Sequence, residues 1–289
     1  MRKLLLAASG IYLLFISCNR KNDDFLNWPD PVYKLDFVAI LTPSGATVRY
    51  DFVYTGSTLT AVNDFDINNT PIFHHEFIYN GSQLVRVDTY RPLAGNSLEK
   101  RLMIYYADSR VNKIEQYFFT NRVPFLSSFI TYSYDFEGNM IQKKSSNQLS
   151  GGPLLIGTSD YTYASGNIIS IKEAYQNGLP SWIDFYPTYS AKQNTLPINN
   201  PPLSAFIWYL IDPNFFKDGF EEIFLFSKNV ISGTKRDING VVHDYIFQME
   251  FDNNDNVTRI RNYPQLYNTS YPVAPVFYDM TLHYVIKSQ

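Results

Sequence analysis

The sequence predicts an all-β fold: a long antiparallel meander of β-hairpin repeats curled into a barrel-like sheet, with a small helical insertion near residues 203–220. Three observations predict it. First, one phrase recurs along the chain: two apolar, mostly aromatic residues on alternate positions, a short turn, then two aliphatic residues three apart. It reads Phe52-x-Tyr54, turn, Leu59-x-x-Val62 in its first copy. It returns as Phe77-x-Tyr79 with Leu84-x-x-Val87, and as Ile104-x-Tyr106 with Val111-x-x-Ile114. Later copies are Tyr161-x-Tyr163 with Ile168-x-x-Ile171, and Met249-x-Phe251 with Val257-x-x-Ile260. Self-similarity of this kind marks a repeated supersecondary unit. Second, apolar and polar residues alternate within the incoming arms, the period of a half-buried antiparallel strand. Third, aromatics make up 17% of the chain, with 23 Tyr and 22 Phe, and strands favour them.

The N-terminus reads as an export signal. Arg2 and Lys3 form a charged start, and Leu4 to Ile16 form an apolar run too short for a membrane helix of roughly 20 residues. Leu14-Phe15-Ile16-Ser17-Cys18 resembles a bacterial lipobox, with Phe15 standing where an aliphatic residue is usual. The resemblance implies cleavage ahead of Cys18 and lipidation of its thiol. Cys18 is the one cysteine, so no intramolecular disulfide can form. The expected organisation is a signal peptide over 1–17, a tether over 18–30 and a single hairpin-repeat domain over 31–289. Within the tether, Lys21, Asp23 and Asp24 resemble the signal that sends Bacteroidetes lipoproteins to the cell surface. The competing reading is a solvated linker, which would leave a periplasm-facing protein.

The incoming arms set out the faces of each strand. Val48, Tyr50, Phe52 and Tyr54 share one face, while Arg49 and Asp51 share the other. Tyr245, Phe247, Met249 and Phe251 repeat the pattern opposite Asp244, Gln248 and Glu250. The turns carry Gly, Asn, Asp and Ser, which supply positive φ or local side-chain caps. In the outgoing arms the three-residue spacing breaks the alternation. A one-residue bulge that resets the register is the favoured explanation; the alternative is a first aliphatic that closes only the turn end. Connections such as Asn68-Asn69-Thr70-Pro71 and Arg91-Pro92-Leu93-Ala94-Gly95 are polar or proline-bearing. Copies recur every 25–28 residues or so, one hairpin plus one connection, so consecutive hairpins should pair in order. Beyond Pro197, Pro201 and Pro202, the apolar residues Leu203, Phe206, Ile207 and Leu210 have helical spacing until Pro213. That segment reads as a plug for one end of the sheet, or else a lid.

Tyr134-Asp135-Phe136-Glu137-Gly138-Asn139-Met140 resembles the YD repeat of Rhs-type proteins, with Met140 in place of leucine. Asn200-Pro201-Pro202, Leu225 to Asn229 and Tyr245 to Ile260, taken with the lipobox and the hairpins, resemble a family of Bacteroidetes lipoproteins built from such hairpins. That resemblance implies a porin-like β fold and an outer-membrane lipid anchor.

No catalytic, metal or cofactor motif stands out. His74 and His75 are adjacent on a strand, so their rings point to opposite faces and cannot chelate one ion; His75 should be buried beside Phe73 and Phe77. Asp252-x-Asn254-x-Asn256 starts like a calcium loop, but Val257 sits where glycine is needed and Tyr263 where glutamate is needed. Asp64 with Asp66, and Glu221 with Glu222, read as solvated surface pairs. The formal charge of −3 gives no electrostatic case for nucleic acid. The tyrosine rows read as inward-facing core, or as a wide, partly wet cavity that stacks sugars. The expectation is a non-enzymatic binding or structural lipoprotein of the cell envelope, its ligand a glycan, lipid or protein. Lipidated Cys18 is its one chemically active residue. The alternatives are a glycan-active enzyme with loop carboxylates, or an Rhs-like shell.

Overall fold

A computed structural model describes residues 33–41, 47–56, 58–176, 182–193, 227, 229–253, 257–264 and 278–286. The signal peptide, the tether with Cys18 and the predicted helical insertion at 203–220 lie outside the described residues. Among those described, sixteen antiparallel strands close into one barrel, each paired with its neighbours in sequence. They are β1 (Tyr33–Leu41), β2 (Thr47–Thr55), β3 (Thr58–Phe65), β4 (Pro71–Asn80), β5 (Gln83–Arg91), β6 (Ser97–Ala107), β7 (Arg110–Thr120) and β8 (Val123–Tyr134). The second half comprises β9 (Met140–Leu149), β10 (Gly152–Ala164), β11 (Asn167–Tyr175), β12 (Trp182–Gln193), β13 (Asn229–Ile238), β14 (Val241–Phe251), β15 (Val257–Pro264) and β16 (Tyr278–Ile286). The expected meander is therefore complete and closed. Val38 on β1 faces Tyr50 on one side and Leu282 on the other, which joins the first strand to the last. Closure leaves no strand edge to pair with another chain.

Each repeated phrase is one hairpin with one bulge. Phe52 faces Val62 and Val53 faces Ala61, but Tyr54 faces Leu59, so Thr60 is the extra residue. The same offset leaves Val85, Asn112, Ile141, Ile169 and Thr258 as extra residues in later copies. The bulge brings both aliphatics of the phrase to the inner face despite their odd spacing. Leu84 and Val87 are both buried, as are Val111 with Ile114 and Ile168 with Ile171. The turns that close these hairpins lie at one end of the barrel, here the turn end. The longer connections, such as 66–70 and 92–96, lie at the distal end.

Four inward tyrosines, three of them in hairpins of the repeat and the fourth Tyr189 on β12, lock one hairpin to the one before it. Tyr79 donates its phenol hydrogen to the Leu59 carbonyl at 2.8 Å, Tyr106 to Leu84 at 2.8 Å, Tyr134 to Val111 at 2.7 Å and Tyr189 to Ile168 at 2.7 Å. Burial pushes these phenols up, Tyr79 to about 12. The rings pack against the buried core with Tyr54 and Tyr163. The turn end of the interior is therefore a filled apolar floor, and the wet cavity suggested by tyrosine content does not lie there. The sequence shows how many tyrosines face inward. It does not show that their hydroxyls find backbone carbonyls one hairpin away. Tyr106→Phe should lower stability by about 1 kcal/mol, because the Leu84 carbonyl loses its phenol partner. Urea denaturation reads this, and an unmoved midpoint would refute the lock.

Candidate functional site: the polar distal half of the barrel interior

Beyond the apolar floor the inner face turns polar at a fixed place in the repeat. Two residues after the second inward position of the outgoing arm stand Asp64, Thr89, Gln116, Ser145 and Glu173. All face inward, because the register places them on the same side as Val62, Val87, Ile114, Lys143 and Ile171. Five hairpins thus contribute one polar side chain each to the distal half of the interior.

Asp64 and His75 form the centre of one cluster. The His75 ring accepts or donates through Nδ1 to Thr89 Oγ1 at 2.9 Å and through Nε2 to Asp64 Oδ2 at 3.1 Å. Asp64, His75 and Thr89 are all buried. The second Asp64 oxygen, Oδ1, is buried without a hydrogen-bond partner. Burial pushes the Asp64 carboxyl up, partly offset by His75 and by the charge of Lys100. Lys100 stands opposite Thr89 in register, and burial pushes its ammonium down. Nearer the mouth, Arg91 grips Glu99 through two hydrogen bonds of 2.7 and 2.8 Å, and its guanidinium lies 5.4 Å from the centre of the Phe73 ring.

The expected acidic surface pair is thereby split. Asp66 behaves as expected: its carboxylate accepts from the backbone of Asn68 at 2.9 Å and Thr70 at 2.8 Å, and the backbone bonds pull its pKa down. Asp64 is instead interior, because the Thr60 bulge resets the strand so that Val62 and Asp64 share the core face. The histidines fall on opposite faces as expected. His74 bonds through Nδ1 to Asn63 at 2.7 Å and lies beside Tyr90, while His75 tilts against Phe73 inside.

A second cluster surrounds Glu173. Ser159 donates to Oε1 at 3.2 Å and Tyr175 to Oε2 at 2.8 Å, with Lys143 opposite Ser159 in register. Gly157 makes room for this arrangement. A Cβ there would lie 3.3 Å from the Tyr175 ring, which packs against the bare backbone. Between the two clusters the inner face is open to water: Gln116, Ser128 and Ser145 are half-buried and Asn147 is exposed.

The outer wall is charged. Arg101 holds Asp88 through two bonds of 2.7 and 2.9 Å. Glu115 accepts from Lys113 at 2.6 Å, Tyr105 at 2.7 Å and Tyr117 at 2.9 Å. Arg261 pairs with Glu250 at 2.6 Å across β14 and β15, and Arg259 holds Asp279 across β15 and β16. Among the described residues, no group of three or more His, Cys, Asp or Glu is placed to hold a metal ion. Glu221, Glu222 and residues 254–256 of the calcium-like loop lie outside the described residues.

Sequence reasoning missed the Asp64–His75–Thr89 cluster and its Glu173 counterpart. The signal was present in the polar residue five positions after the first aliphatic of each phrase. It becomes meaningful only once the bulge assigns that position to the inner face.

The described strands form a closed sixteen-stranded antiparallel barrel, and solved structures of similar fold exist. A porin-like protein from Bacteroides uniformis ATCC 8492 is similar with a TM-score of 0.55 and 11% identity, over 87% of this chain and 97% of that one. A porin-like protein from Bacteroides vulgatus ATCC 8482 is similar with a TM-score of 0.50 and 14% identity, over 87% of this chain and 98% of that one. The likeness is one of fold, and it matches the porin-like barrel that the sequence resemblance implies. No family model matches the chain, and no curated protein matches it.

Proposed function

We propose that this chain is a lipoprotein of the bacterial cell envelope, anchored through Cys18, whose barrel is a non-enzymatic binding module for a polar, hydroxyl-rich ligand such as a glycan. The observation that carries this reading is the polar level of the interior. Five hairpins place Asp64, Thr89, Gln116, Ser145 and Glu173 where apolar residues would be the more stable filling, since buried polar groups are costly unless satisfied. Half-open amides and hydroxyls beside Phe73 and Tyr175 suit a ligand with many hydroxyls and a face to stack. A catalytic reading is weaker, because His75 is 2% exposed and Thr89 3%. The outer wall supports a barrel held outside the bilayer: a membrane-spanning barrel presents an apolar band to lipid, with an Arg or Lys there costing about 2–4 kcal/mol at the midplane and an Asp or Glu less. Here Asp88, Glu115, Arg259 and Asp279 occupy that wall.

The test pairs two measurements. Metabolic labelling with palmitate should mark the wild-type chain and not Cys18→Ala. A glycan array probed with the chain from residue 25 onward should give a defined set of polysaccharide hits that Gln116→Ala/Asn147→Ala loses. Silence across the array would refute the ligand class. Unlabelled wild type would refute the anchor.

A further inference from the structure

One row of inward residues runs from the buried floor to the open mouth. The strand registers place Val62, His75, Thr89, Lys100, Phe118 and Phe125 side by side on the inner face of β3 to β8. Strand tilt carries the row toward the distal end as it crosses the sheet. Val62, His75 and Thr89 are buried, Lys100 and Phe118 are half-buried, and Phe125 is 48% exposed. At the open end the Phe118 and Phe125 rings stack with their centres 6.1 Å apart. Between the rings and the buried cluster stands the Lys100 ammonium. Among the described residues it makes no ion pair and no hydrogen bond. The carboxyls whose charge it feels are Asp64 and Glu99. Both are engaged elsewhere: Asp64 Oδ2 with His75 at 3.1 Å, and Glu99 with the Arg91 guanidinium through both oxygens. Burial also favours the uncharged form of Asp64, which weakens it as a counter-ion.

We propose that this row binds an acidic saccharide: the Lys100 ammonium takes a sugar carboxylate, and the Phe118–Phe125 pair takes a C–H face of the ring. The proposal rests on the reading of the polar interior as a saccharide site and names the class of saccharide. An ammonium drawn partly out of water with no partner is costly, so the site gains most from a ligand that brings an anion. The rings beside it give the flat apolar surface on which a pyranose stacks. The spacing suits a hexuronate, whose carboxylate is bonded directly to the sugar ring. Neighbouring strands lie about 4.8 Å apart, so a sugar over Phe118 on β7 brings that carboxylate within reach of the ammonium on β6. A neutral hexose in the same place would leave Lys100 unmatched.

Every described strand lies between residues 33 and 286, and the barrel closes on itself there, so the chain from residue 25 serves for calorimetric titration. Tetragalacturonate is compared with its carboxyl-reduced, neutral counterpart. The wild type is expected to bind the acid at least about tenfold more tightly, because a charge-assisted hydrogen bond is roughly twice as strong as a neutral one. Lys100→Met should erase that preference and Lys100→Arg should keep it. Phe125→Ala should weaken binding of both sugars and leave the thermal melt unchanged, since the ring is half exposed. The wild-type comparison of acid with neutral sugar needs no variant, so it decides the matter even if Lys100→Met fails to fold. Equal affinity for the two sugars, or a preference for the acid that survives Lys100→Met, would overturn the inference. So would equal, Lys100-dependent binding of a sulfated galactan, which would mark an unselective anion site. Neutral-glycan binding that needs Gln116 and Asn147 but not Lys100 would overturn the inference alone and leave the saccharide reading standing. Silence with both sugars and across the glycan array would remove both.

Discussion

His75→Ala is expected to cost about 3 kcal/mol or more of folding free energy at neutral pH, because it strands the Asp64 carboxyl in the interior and removes the partner of Thr89. The loss is read as a fall in the urea midpoint at unchanged slope. A change of a few tenths of a kcal/mol would show that the cluster is hydrated and not buried. Asp64→Asn should act in the opposite direction. Burial raises the Asp64 pKa in the folded state, so the folded protein holds that proton more tightly than the unfolded chain. The associated stability is present at acid pH and is lost as pH rises from the ordinary carboxyl range through the folded value. Asp64→Asn should therefore stabilise the protein at neutral pH, and its advantage should shrink toward acid. A gain that grows toward acid would contradict this sign.

Leu102→Ala is expected to cost about 3 kcal/mol, within the range for large-to-small changes at fully buried sites. Leu102 is 0% exposed on the inner face, flanked in register by Val87 and Gln116. Val53→Ala on the outer wall should change stability by no more than about 0.5 kcal/mol, since Val53 is 42% exposed. On the proposed reading, the contrast would separate a barrel held outside the bilayer from one that lives in lipid, where the outward apolar residues meet the bilayer and the lumen is wet. Equal losses at the two positions, or a chain that stays in solution only with detergent, would sink the reading of a barrel outside the membrane.

Much of the fold was legible because it repeats. Alternation in Val48, Tyr50, Phe52 and Tyr54 fixed the inward face of β2, and the same spacing placed Phe77 and Tyr79 on β4. The bulge was legible as the favoured of two explanations for the spacing of Leu84 and Val87, and the register decides for it. Asp64 was harder. Beside Asp66, with no strand register to separate them, two acidic residues read as surface. Only the ladder from β2 through β4 shows that one faces Phe73 in the interior while the other caps a turn.

The sequence by itself determined the local structure: hairpins, bulges, turn chemistry and the inward set of aromatics. Each depends on residues close together in the chain, whose periodicity writes itself into the order of amino acids. The tertiary structure alone decided three things. It closed β1 onto β16, carried the hydroxyls of Tyr79, Tyr106, Tyr134 and Tyr189 to carbonyls in the preceding hairpin, and gathered Asp64, Thr89, Gln116, Ser145 and Glu173 at one level. These depend on strand stagger and tilt around a closed barrel, which bring together residues from different hairpins. No window of sequence contains that geometry, and it is what makes the distal half of the interior polar and the turn end apolar.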